Sequence, residues 1–265
     1  MKVVNPCMYV VRHNNIVYGR MSLTSASGII SGIKEYGYRG IQQFPIVLTA
    51  TSLLFTITTG SVAHANLAAG LAVLMPLYTI ILQISLGYIL KSFAPSYSLW
   101  WTRSTSDSCN IIPNVNVAKG FKAYDPASVG DAASVPSFWL MEVAFFIGYA
   151  MSNAVDSLMA PTARNADPES QEKRTHGAIN VISVLGTVSV LLLLTRLITM
   201  TGCEGRGTLG IFLSILCAGG AGWIGYIMYT VSRACGSRAS DLFGLLSQML
   251  PASATSPSPI VCTAD

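Results

Sequence analysis

The chain has 265 residues, of which 51% are hydrophobic and only 11% charged, and its mean hydropathy is +0.52. A soluble domain carries about 25% charged residues, so a soluble fold is excluded as a way of hiding this much apolar surface. The formal charge of +4 is dispersed, with no Lys/Arg run interleaved with aromatics, which argues against direct nucleic-acid binding.

Taken in chain order, the pattern predicts an all-α polytopic membrane protein of about five transmembrane helices, with a basic N-terminal arm and one long polar loop. Residues 1–42 form the arm: Lys2, Arg12, Arg20, Lys34 and Arg39 stand against the single acid Glu35, and 29–36 suit a short interfacial helix. Asn5, Arg12, His13 and Asn14 interrupt any apolar run of signal-peptide kind, so the first span is expected to direct insertion.

Residues 44–62 and 67–90 are uncharged and separated by a polar break at His64 and Asn66. Each exceeds the roughly 17 residues a helix needs to cross a ~30 Å hydrocarbon layer. Pro76, inside the second span, removes a backbone donor and predicts a kink.

The stretch 91–136 then turns polar, with Pro95, Pro113 and Pro126, and with Tyr97, Trp100 and Trp101 placed to sit at a membrane interface. Three further spans are expected at 137–159, 177–200 and 208–231. The first of these is amphipathic because it carries Glu142, Asn153 and Asp156. Beyond the last, residues 233–265 divide into an interfacial helix over 241–250, with apolar Leu242, Phe243, Leu245, Leu246, Met249 and Leu250, and a Ser/Pro/Thr-rich tail with little fixed structure.

With five spans, the arm, the long loop and the 201–207 turn share one side. Apart from Arg196, that side holds ten Lys and Arg against five opposite, which predicts a cytoplasmic N-terminus. Cys7, Cys109 and Cys203 lie on the same side, so a disulfide between two of them is topologically open, but it would require that side to be oxidising, against the charge bias. Cys217, within the fifth span, reads as a small packing residue.

Four readings concern residues within or beside the spans. Glu142 and Arg196 are expected at similar depth in antiparallel neighbours, placed to form an ion pair that acts as an interhelical clamp, or else snorkelling to the interface, rather than forming a proton relay. Asp156 is expected to meet His176 and Asn180 in a polar surface cluster. The small residues Ala218, Gly219, Gly220, Ala221, Gly222 and Gly225 let another backbone approach closely, belonging either to a helix of this chain or to a second copy. The glycine-rich run 202–207 reads as a tight turn, since it lacks the strand and Lys-Ser/Thr ending of a phosphate loop.

Three scattered histidines, at 13, 64 and 176, and cysteines without metal spacing offer no basis for catalysis, a cofactor or a metal. The expectation is therefore a non-enzymatic protein.

The stretch Pro136-Ser137-Phe138-Trp139-Leu140-Met141-Glu142, with Phe145-Phe146-Ile147-Gly148-Tyr149 and Ser152-Asn153-Ala154, is followed by Lys173-Arg174 and a span ending in Arg196 and Cys203-Glu204. This C-terminal half resembles multi-pass inner-membrane proteins of large double-stranded DNA viruses. The resemblance implies a structural protein of a virion's inner membrane that contacts the capsid or neighbouring copies through its loops.

The partners expected are the lipid bilayer, other membrane proteins or, as the resemblance implies, capsid proteins meeting 1–42 and 91–136, and a second copy of the chain. Two rival roles remain open at this level. One is a channel or transporter lined by Glu142, Asn153, Asp156 and Arg196; the other is an accessory subunit with a partner helix on the glycine-rich face.

Overall fold

A computed structural model describes residues 26–93, 100–104, 106, 109, 111, 132–159, 168–200, 202–234 and 242–243. Residues 1–38 and 39–265 are two separate compact units. The architecture is all-α, and among the described residues five helical stretches are long and apolar enough to cross a membrane: Glu35–Thr59, Val62–Phe93, Phe138–Met159, Thr175–Thr199 and Thr208–Ala234. It is a polytopic membrane fold with the expected number of spans.

Helix α1 runs unbroken over Ala26–Thr59, so the chain is helical from well inside the expected arm and no separate interfacial helix interrupts it. Pro45 lies inside it. A proline lacks the N–H that would bond the carbonyl four residues earlier, here Ile41, so the helix continues only if that oxygen finds another donor. The Trp139 indole nitrogen supplies it, donating to Ile41 O at 2.6 Å. Hydroxyls along the same helix turn back on their own carbonyls, as Thr49 on Pro45 O and Ser52 on Leu48 O do, which removes their need for water.

The turn after α1 falls earlier than His64 and Asn66 suggest. Gly60 takes φ +63°, a left-handed conformation favourable to glycine, and the next helix α2 starts at once, over Val62–Ala69. His64 and Asn66 are helical, and Asn66 is used between helices: its Nδ2 donates to Ser232 Oγ at 2.7 Å.

A π turn over Gly70–Leu74 then joins α2 to α3 (Met75–Phe93). It lies immediately before Pro76, and the Met75 N–H reaches back five residues to Gly70 O. The irregularity expected from the proline is thus a widened turn that absorbs the lost donor.

The loop after α3 is pinned at its base. Strand β1 (Thr102–Ser104) pairs antiparallel with β2 (Ala132–Ser134), with Arg103 opposite Ala133. Residues 94–99 and 112–131 of the expected polar loop lie outside the described residues, as do 1–25 and nearly all of 235–265. Within the last stretch Leu242 and Phe243 form a bend and Leu242 packs against the core, while the remainder of the expected interfacial helix is outside the described residues.

Three helices complete the bundle: α4 (Phe138–Met159), α5 (Pro168–Thr199) and α6 (Thr208–Ala234). Helix α5 begins nine residues before the expected span, with proline at its first position, where its missing N–H costs nothing. Helix α4 is central: 56% of its span is buried inside the protein, against 11% for α5 and 17% for α1 and α6. The amphipathic helix of the sequence is therefore the one with least need of lipid contact.

Its most extensive contact is with α6. A Cβ added to Gly148 would lie 2.1 Å from Gly222 O, and one on Gly225 2.4 Å from Phe145 O, so the two backbones touch where both sides lack side chains. Around this contact Leu67, Leu71, Met75, Met141, Phe145, Tyr149, Ala221 and Tyr229 form the main apolar core.

Candidate functional site

The densest polar constellation sits where α5 ends and the Gly-rich turn begins. Arg196 and Glu204 are 1% and 2% exposed and form an ion pair, Nε to Oε1, at 3.0 Å. The partner expected for Arg196 was Glu142, and the structure corrects this. Arg196 stands one turn from the end of α5, so its long side chain extends past the helix end to an acid eight residues ahead. Glu142 is buried at 8% exposure in α4, and among the described residues no ion pair reaches it.

The other polar atoms of this pair are directed at neighbours. Ser137 donates its hydroxyl to Glu204 Oε2, and the Ser137 oxygen accepts the Leu140 N–H at 3.1 Å, which makes Ser137 the N-cap of α4. Arg196 Nη2 donates to Cys109 O at 3.3 Å, and its guanidinium carbon lies 4.9 Å from the centroid of the Trp139 ring, a cation–π stack. Ser214, in α6, donates to the Glu204 backbone oxygen at 2.5 Å. Four segments, the loop, α4, α5 and α6, therefore meet on one ion pair.

A disulfide joins Cys109 to Cys203 across 94 residues of sequence, with Cα atoms 5.1 Å apart. It ties the long loop to the turn that carries Glu204. Backbone bonds reinforce the same union: Ser104 N donates to Gly202 O at 2.8 Å and Arg206 N to Thr102 O at 2.9 Å, so the turn lies along the edge of β1 that β2 leaves free. Trp101, Thr102, Arg103 and Ser134 are all buried in this cap.

At the opposite end of α4 the expected cluster of Asp156, His176 and Asn180 does not form. Asp156 accepts from Tyr229 Oη at 2.6 Å and pairs with Arg233 at 2.8 Å, both on α6, the helix its face meets. His176 instead lies 3.6 Å from Glu172 on its own exposed helical face, and Asn180 is exposed. Between these ends Tyr149 donates to Ala63 O at 2.9 Å and shares a 2.7 Å bond with Ser232, while Asn153 is buried on the same helix.

The small residues of α6 divide by direction. Ala221 is fully buried, Gly222 and Gly225 face α4, Ala218 packs beside Trp139, Leu140 and Val143, and Gly220 meets the Tyr78 hydroxyl. Gly219 faces open space. The helix that these residues admit therefore belongs to this chain.

Sequence reasoning missed Glu204, Ser137, Trp139 and Ser214 as partners. The one available signal was an acid placed beside Cys203 in a glycine-rich turn, close after an intramembrane arginine. Among the described residues, no group of three or more His, Cys, Asp or Glu is arranged to hold a metal ion.

What these elements define is a polytopic α-helical membrane protein whose loop and turn are stapled together at one membrane face. No protein-family model, no curated protein and no solved structure matches the chain.

Proposed function

We propose that this protein is a non-catalytic integral membrane component with a structural or assembly role, its five spans serving as an anchor and its stapled loop as a contact surface. The observation that carries the reading is the saturation of the Arg196–Glu204 site. Both side chains are buried and each has several protein partners, so the arrangement holds the loop in place with both charges engaged by the protein itself.

The resemblance of the C-terminal half to viral inner-membrane proteins supports a virion's inner membrane as the setting. Partners are then other membrane or capsid proteins meeting 1–42 and 91–136. The channel reading loses support because Arg196 and Asp156 are each engaged by protein groups.

Cross-linking in native membranes, followed by mass spectrometry, tests the proposal. Intermolecular links that map to 91–136 and disappear in the C109S/C203S variant are expected. Absence of such links, together with ion flux from the pure protein in liposomes, would replace the assembly role with a transport role.

A further inference from the structure

The disulfide and the charge bias point to opposite orientations in the membrane, and the structure shows how far each can be taken. Cys109 and Cys203 are 5% and 1% exposed and lie in two different connections on the same side of the bundle. Their bond holds the loop against the turn. Its formation takes two protons and two electrons from the two thiols, which a protein disulfide of the thiol oxidoreductase class accepts as it becomes a dithiol. Such acceptors act in the endoplasmic reticulum lumen, the periplasm and the exterior, whereas cytosolic thiols are held reduced.

The opposing charge count weakens when its members are located. Lys2 and Arg12 lie more than 20 residues before the span Glu35–Thr59, beyond the range in which basic residues set orientation. Arg103 is 3% exposed inside the β1–β2 cap, so its charge is not displayed to headgroups. Seven residues remain on that side near the spans, Arg20, Lys34, Arg39, Lys91, Lys119, Lys122 and Arg206, against five opposite. Three of the five, Arg164, Lys173 and Arg174, crowd into the short connection between Met159 and Thr175, the kind of loop in which the rule is strongest.

We propose that the stapled face, bearing the 94–137 loop and the 200–207 turn, is the exoplasmic face, and that the α4–α5 connection and the chain after Ala234 face the cytosol. This is the reverse of the orientation expected from charge. A partner that binds the loop therefore meets it outside the cytosol. The inference rests on the five-span architecture and the Cys109–Cys203 bond, so it stands or fails independently of the assembly role.

Single substitutions in the full chain test it during microsomal expression. A118T completes an N-glycosylation sequon at Asn116 in the loop, and S253N creates one in the C-terminal segment. Both positions are well clear of the neighbouring spans. Alongside, free thiols are alkylated in denaturant, and thiols released by reduction are then mass-tagged.

The expected result is an endoglycosidase-sensitive mass increase for A118T, none for S253N, and two tags on Cys109 and Cys203 that appear only after reduction. A glycan on S253N overturns the proposal, as does its absence from both variants. Alkylation of Cys109 and Cys203 without reductant overturns it too, since the covalent evidence for the oxidising side would then be gone.

Discussion

The Trp139 indole nitrogen donates to the Ile41 carbonyl at 2.6 Å, the oxygen that Pro45 deprives of its helical partner. A proline in the first span and a tryptophan in the third are thus two halves of one contact. Replacing Trp139 by Phe leaves that carbonyl without a donor, at a cost of about 1–3 kcal/mol. Restoring the backbone N–H with P45A in the W139F protein should recover much of the loss. Unfolding midpoints in mixed micelles for the four proteins of this cycle check it, and equal midpoints for W139F and W139F/P45A would argue against the pairing.

The Arg196–Glu204 pair should obey the asymmetry of buried charges. Either R196L or E204L strands one charge in a site shielded from water and is expected to cost about 3–5 kcal/mol. The double variant strands none and should lie closer to wild type than R196L alone. The same unfolding assay decides this, and strictly additive losses would mean that the two side chains do not depend on each other.

The disulfide closes a connection of 94 residues, and on the chain-entropy model such a bond contributes about 4–5 kcal/mol. Because Cys109 also offers its carbonyl to Arg196, the C109S/C203S protein should also lose order in the cap. Limited proteolysis of membrane-embedded protein is expected to cut near residues 104–111 sooner in the variant than in wild type.

Substitutions on the two sides of α6 should separate cleanly. G225L drives a side chain into the α4 backbone, where even its Cβ would lie 2.4 Å from Phe145 O, and is expected to reduce folded yield severely. G219L points into open space and should be silent for the isolated chain. Loss of a cross-linked dimer in G219L, with folding intact, would instead place a second copy on that face.

The number of spans was legible because each is set by local composition: a run without charges, long enough for the bilayer, needs no knowledge of its neighbours. Their limits were less so. Gly60 moved the first turn because a left-handed residue ends a helix more sharply than a polar pair such as His64 and Asn66, which found partners inside the bundle. The expected meeting of Glu142 with Arg196 failed for a different reason. Depth in the membrane is set by sequence position, but the direction a side chain takes depends on which helices are adjacent. Arg196 could reach outward to Glu204 once the turn was fixed by Cys203, and Asp156 met α6 because the glycines draw α4 against that helix.

The central claim, an odd number of crossings that sets the stapled loop and the C-terminal segment on opposite sides, is tested most directly by thiol accessibility in sealed vesicles. A single cysteine is placed in the loop with S128C, or kept at Cys262, in proteins whose other unpaired cysteines are replaced, and an impermeant maleimide is added before and after permeabilisation. Opposite protection of the two positions is expected for five spans; identical protection would contradict the five-span fold and the helix pairings that depend on it.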